Sequence, residues 1–198
     1  MHRRLYYFGI AYVAVVGALL VSHRARIAAP PHAQTPLPAG TPGEWFARLH
    51  PFCNPVEVDL AQLRDPAPGG LEGTAYSAAC FALAGKVDRA RLLINQLDAS
   101  DRFRAAGVVF EVAHPVADAG DDKAAGPIME MVIEYWPNHY MALYHAGMSE
   151  YALGQPETAR KNLTEFLNYY HENDGWRQRA IETLEKLGTT AAVERPGS

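Results

Sequence analysis

Apolar positions recur at helical spacing through most of the chain after residue 70. In VDRARLLINQL (87–97), Ala90, Leu93, Ile94 and Leu97 fall three or four apart, on one face of a 3.6-residue period. DGWRQRAIETLEKLG (174–188) repeats the device with Trp176, Ala180, Ile181, Leu184 and Leu187. Asp174 offers that helix a cap, and Gly188 an end. Between these two lie RFRAAGVVFEVAH, KAAGPIMEMVIEYW, HYMALYHAGMSEYAL and PETARKNLTEFLNYYH, and GTAYSAACFALAG precedes them. All read as helices, and the strict alternation and hairpin turns of strands are missing. Further upstream, EWFARLH is a short helical pattern. A second one starts in CNPVEVDLAQL, with Asn54 as cap, Pro55 at the first helical position and Glu57 as the capping-box carboxylate. DPAPGG (65–70) ends it.

Residues 5–22, LYYFGIAYVAVVGALLVS, break this amphipathic pattern: they are apolar throughout and carry no charge. A run of about 18–20 such residues is long enough to cross a bilayer as a helix. Tyr6 and Tyr7 suit the interfacial belt, and Arg3, Arg4, Arg24 and Arg26 flank the run. A cleaved leader fits less well. Its apolar core is usually about 7–15 residues, and here a proline follows the best cleavage point. The expectation is one N-terminal transmembrane anchor with its flanks over residues 1–26. Flanking arginines nearly balance, and the α-amino group favours a cytoplasmic N-terminus with the rest outside the cytoplasm. Gly9 and Gly17 form a small-residue stripe against which another membrane helix could pack. Residues 27–43 contain five prolines and read as an extended tether.

Three hexapeptides punctuate the helices: GKVDRA at 85–90, GDDKAA at 120–125 and GQPETA at 154–159. Their glycines are 35 and 34 residues apart, and each lies between two helical patterns. A glycine permits a tight turn with positive φ, and the alanine five residues later lets two helices approach closely. This period, with paired helices, resembles the tetratricopeptide-repeat family. The residues that carry the resemblance are Leu143, Ala146, Gly147, Gly154, Ala159, Leu163 and Phe166 in the copy at 140–173. In the copy at 106–139 they are Ala113, Gly120, Ala125, Met129, Val132 and the closing Pro137. Ala78, Phe81, Gly85, Ala90, Ile94 and Leu97 carry it in the copy at 71–105, which lacks the closing proline. Pro115 and Pro127 fall inside the helices of the middle copy, so a shortened or bent pair is expected there. The resemblance implies an all-α fold: antiparallel helix pairs stacked as a short solenoid over residues 44–188, with a capping helix at 174–187 and a flexible tail at 189–198.

Composition changes little in this picture. The net charge of -4 argues against a nucleic-acid surface. Two cysteines, Cys53 and Cys80, either pair in an oxidising compartment or serve as small buried apolar residues; the helical setting of Cys80 favours the second. Phosphate loops, nucleophile elbows and HExxH are all missing, so no catalytic residue, cofactor or metal is expected. His50 and Cys53 make half a metal site with no second half, His139 and His145 are six apart and do not share a helical face, and DAGDD (118–122) reads as a solvated turn.

In the family it resembles, the first helix of each pair lines a concave face that binds peptides or protein surfaces. Carried over, those positions are Phe110 and His114 in the middle copy and Met141, Tyr144, Met148 and Tyr151 in the last, each of which could equally be core. The implied function is a membrane-anchored interaction module, a scaffold, assembly factor or accessory subunit, with protein partners in a respiratory, photosynthetic, secretion or envelope machine and a periplasmic domain on a bacterial-type inner membrane. A purely structural subunit held by its transmembrane helix and an enzyme using a groove His or Cys are the rival readings.

Overall fold

The computed structural model describes residues 40–193, and side chains as far as Gly188. The expected anchor at 5–22, Gly9 and Gly17, most of the tether and the last five residues lie outside the described residues. No described helix is long and apolar enough to cross a membrane.

Among the described residues there are nine α-helices, one 3-10 turn and no strand. α1 (Pro42–Leu49) starts inside the expected tether, because Thr41 and Glu44 form a reciprocal capping box and Pro42 occupies the first turn. A 3-10 turn (His50–Phe52) leads to α2 (Val58–Arg64). Asn54 does cap, accepting from Val56 and Glu57 backbone N–H groups, but residues 55–57 form a turn and the α-helix itself begins only at Val58. Three helix pairs follow: α3 (Leu71–Leu83) with α4 (Val87–Asn95), α5 (Ala99–Asp118) with α6 (Asp122–Tyr135), and α7 (Tyr140–Ala152) with α8 (Pro156–Tyr169). α9 (Gly175–Val193) covers the end of the stack, against α8 and α7.

The three glycines do what their spacing predicts. Gly85, Gly120 and Gly154 have φ of 72°, 78° and 74°, in the left-handed region that favours glycine. Each turn closes with the same bond, five residues back: Lys86 N–H to the Phe81 carbonyl, Asp121 to Val116, and Gln155 to Glu150. This is the Schellman closure, built three times. Ala90, Ala125 and Ala159, each five residues after its glycine, are completely buried. Within the last pair the helices meet closely at Gly147, where a Cβ would sit 2.7 Å from Leu163 Cγ and 3.1 Å from its backbone nitrogen.

Two expectations need correction. The middle pair is not shortened: α5 runs unbroken for 20 residues through Pro115, and α6 for 14 through Pro127. Each proline is on the exposed side, and the carbonyl it leaves unbonded belongs to exposed Glu111 or Lys123, where water can replace the lost partner. Each also lies within about a turn and a half of a helix end. Nor does the last helix stop at Gly188, which keeps a negative φ; α9 continues to Val193, so residues 189–193 are helical.

A continuous core runs from Trp45 and Val58 through Phe81, Ile94 and Val109 to Met129, Val132 and Ala146, and a second cluster of Leu143, Tyr144, Leu163, Phe166 and Ala180 seats α9. Arg91 of α4 clamps Glu134 of α6 through two nitrogens, at 2.7 and 2.8 Å. At the N-terminal end, Trp45 donates its indole N–H to the Asp65 carbonyl at 2.9 Å. A disulfide joins Cys53 to Cys80, with Cα atoms 4.8 Å apart, so the structure takes the first of the two cysteine readings.

Candidate functional site

The first helices of successive pairs, α5 and α7, and the capping helix α9 converge on one pocket of about 220 Å³. Its lining includes Asp118, Tyr144, His145, Met148, Trp176 and Arg179. Helical periodicity explains the α5 contribution: Phe110, His114 and Asp118 recur at intervals of four, so they share one side of the helix. On α7, Tyr144, His145 and Met148 occupy a similar stripe.

Aromatic rings form a continuous run across the three helices. Phe110 stacks on His114 with centroids 4.8 Å apart, His114 meets His145 edge-on at 4.9 Å, and His145 packs against Tyr144 at 5.2 Å and Trp176 at 5.7 Å. Edge-to-face contacts of this kind hold ring positions firmly. Arg179 lies over the Trp176 ring, 5.7 Å from its centroid, and approaches the Tyr144 hydroxyl at 3.4 Å.

The six residues placed in the groove by the repeat register therefore divide. Tyr144 and Met148 line the pocket, with Thr183 donating to the Met148 sulfur at 3.6 Å, and His114 lies behind its wall, against His145. Phe110 and Tyr144 are 4% and 2% exposed, so they support the groove from beneath and offer little contact area. Met141 is wedged between the two core clusters, and Tyr151 is exposed and outside the pocket. Sequence reasoning set His145 and Asp118 aside, as an unmatched histidine and part of a solvated turn, gave Trp176 to the apolar stripe of the last helix, and did not single out Arg179. His114 and Asp118 are an i,i+4 pair, a legible signal, but HPVAD is interrupted by Pro115 and looks like a helix end.

Electrostatics at the groove floor are unusual. Burial, then the neighbouring His114, pushes the His145 imidazolium down to about 4 against the opposing pull of Asp118. His145 is thus neutral at pH 7. His139 is also lowered, chiefly by burial, and its Nδ1 accepts the Ala142 N–H as a helix cap, between Phe110 and Trp136. Nε2 of His114 and Nε2 of His145 are both buried without a hydrogen-bond partner. They lie 3.5 and 3.6 Å from the same Asp118 oxygen.

A second, larger cleft of about 460 Å³ opens on the other side of α7, between α6 and α8. Glu130, Glu134, Glu150 and Glu165 line it, with Lys161. Glu150 is 3% exposed, accepts both hydrogen bonds from the Asn162 amide at 2.9 Å, and is pushed up to about 7 by burial. Its fixed amide partner and the Arg91 clamp on Glu134 make this a structural polar seam.

A family model for the tetratricopeptide repeat matches residues 141–172, which cover α7, α8 and the turn at Gly154. No curated protein and no solved structure matches the chain. In its helical stack and in this matched unit, the chain is similar to tetratricopeptide-repeat proteins, whose repeats serve as protein–protein interaction modules.

Proposed function

We propose that this chain is a membrane-anchored interaction module whose groove across α5, α7 and α9 holds a segment of a protein partner. The observation that carries the reading is the groove itself. It combines an adaptable thioether (Met148), an indole (Trp176) and one exposed guanidinium (Arg179) above a rigid floor of buried rings. Large adaptable apolar groups beside a single cation are the equipment of a recognition surface. A repeated turn that carries no reactive group is in keeping with a scaffold, assembly factor or accessory subunit, and the reading assigns no catalysis. The apolar run at 5–22 supports anchoring, and the Cys53–Cys80 bond supports an oxidising, extracytoplasmic location for the domain. An anchor raises the effective concentration of the groove near membrane partners.

The test is purification of the intact protein in mild detergent, with identification of co-purifying proteins, beside a Met148→Lys, Arg179→Glu double variant. Loss of a specific partner from the variant, with unchanged helicity, is the expected result; an identical partner set would place recognition elsewhere. A reporter active only in the cytoplasm, fused after Ser198, is expected to stay dark, and a signal from it would reverse the orientation.

A further inference from the structure

The groove floor carries a feature that peptide recognition does not use. Two imidazole nitrogens, one from α5 and one from α7, are buried, unpartnered and turned toward one carboxylate oxygen. Buried polar atoms are almost always hydrogen-bonded, and each one left unmade costs about 1–3 kcal/mol. If His114 and His145 were only packing rings, leucine or phenylalanine would fill the same space without that cost.

We propose that His114 Nε2, His145 Nε2 and a carboxylate oxygen of Asp118 form a binding site for a divalent transition-metal ion of the zinc class. All three ligand atoms lie within 4.8 Å of one another. Zinc–ligand lengths of about 2.0–2.2 Å place neighbouring ligands in a tetrahedral shell roughly 3.3 Å apart. The two nitrogen-to-oxygen separations, 3.5 and 3.6 Å, are already close to that spacing. Only the two rings must draw together, and they are side chains on separate helices, able to turn by small torsions. Two imidazoles and one carboxylate are a donor set that suits zinc, nickel or ferrous iron and discriminates against magnesium and calcium, which prefer all-oxygen shells.

The surroundings agree in sign. Asp118 and Asp122 line the adjoining pocket with Arg179, two negative charges against one positive. Asp118 is 45% exposed, which gives an ion a route in from the pocket. Three protein ligands leave one position facing that pocket for water or an anionic group. His139 is excluded, because its Nδ1 caps α7. Thiolates do not compete, since Cys53 and Cys80 are bonded to each other. A bound ion would pin α5 to α7 across two successive repeat units. The ion would sit at the floor of the same pocket but on atoms that partner recognition does not require, so either reading could fail alone.

The experiment uses the full chain in detergent, stripped with chelator, without reductant. Cobalt(II) is added as a spectroscopic probe and zinc by calorimetry. One equivalent per chain is expected, with the visible bands of a low-symmetry N/O cobalt site and a raised unfolding midpoint. Asp118→Asn is expected to weaken zinc at least tenfold and abolish the cobalt bands, while its metal-free unfolding midpoint stays near that of the parent. His114→Gln is expected to do the same, and His171→Ala, an exposed histidine elsewhere, to change nothing. Absence of stoichiometric uptake, or uptake that Asp118→Asn and His114→Gln leave unchanged, overturns the proposal. Uptake that shows only octahedral all-oxygen cobalt spectra overturns it as well.

Discussion

Glu150 shows what one buried charge does to a helix stack. Its ordinary value near 4.5 is pushed up to about 7, first by burial, with Glu130 adding to the shift and the Asn162 amide opposing it. The folded state therefore holds a proton that the unfolded chain has released over this interval. The stability from that proton is complete below about pH 4.5 and is lost as pH rises through about 7. Glu150→Gln keeps an acceptor for Asn162 and removes the charge. Relative to the parent, the variant is expected to gain about 1–3 kcal/mol at pH 8, and to lose that advantage near pH 5. Urea denaturation at the two pH values checks this; an equal difference at both would mean that Glu150 is not the titrating group. Nothing in SEYAL announced this residue: its burial comes from α6 and α8 closing over α7, which local periodicity does not describe.

At the level of the element, glycine has two different duties in this chain. Gly154 turns the backbone at φ 74° with open space around its Cα, whereas Gly147 lies in a helix with Leu163 pressed against it. The two sites should rank substitutions in opposite order. At 154 alanine is expected to cost about 1–2 kcal/mol, and asparagine, which tolerates left-handed backbone, less. At 147 alanine is expected to cost about 1–3 kcal/mol through overpacking, and the larger asparagine more. Thermal unfolding of the four variants tests this, and the same order at both sites would refute it. The turn glycines were legible because a positive φ has a strong residue preference. The prolines do not shorten the middle pair because their cost depends on position and face: Pro115 and Pro127 each free a carbonyl on the wet side near a helix end. Gly188 looked like a stop, but a glycine ends a helix only where the backbone turns left-handed, and here it does not.

For the whole molecule, stability passes from neighbour to neighbour, and α9 closes the exposed end. Trp176, Ala180 and Leu184 cover Leu143, Tyr144, Leu163 and Phe166. Ending the chain after residue 173 uncovers that cluster, at about 1.5–3 kcal/mol for each large side chain re-exposed. The truncated protein is expected to bind a hydrophobic dye and to lose helicity in α7 and α8 while α3 to α6 persist; hydrogen exchange reads the two regions separately. Uniform protection across all six helices would show that α9 is dispensable. The all-helical stack was legible at this scale, since the 34–35 residue period specifies paired helices. The groove was legible in part. Tyr144 and Met148 are lining residues that the repeat register also picks out, but His145, Asp118 and Arg179 meet them only through the offset between successive units, a three-dimensional quantity that no single repeat encodes.

The Cys53–Cys80 bond bears on how the domain carries tension. A pull on the chain ahead of α1 can strip residues 40–52 away, but at Cys53 the load crosses the sulfur bridge directly to Cys80 in α3. Residues 54–79 lie in a bypassed loop and feel no stretching force. α2, the Gly70 turn and most of α3 are thereby removed from the force path. An extension trace would therefore show a short first release, followed by direct loading of α3 at its last turn.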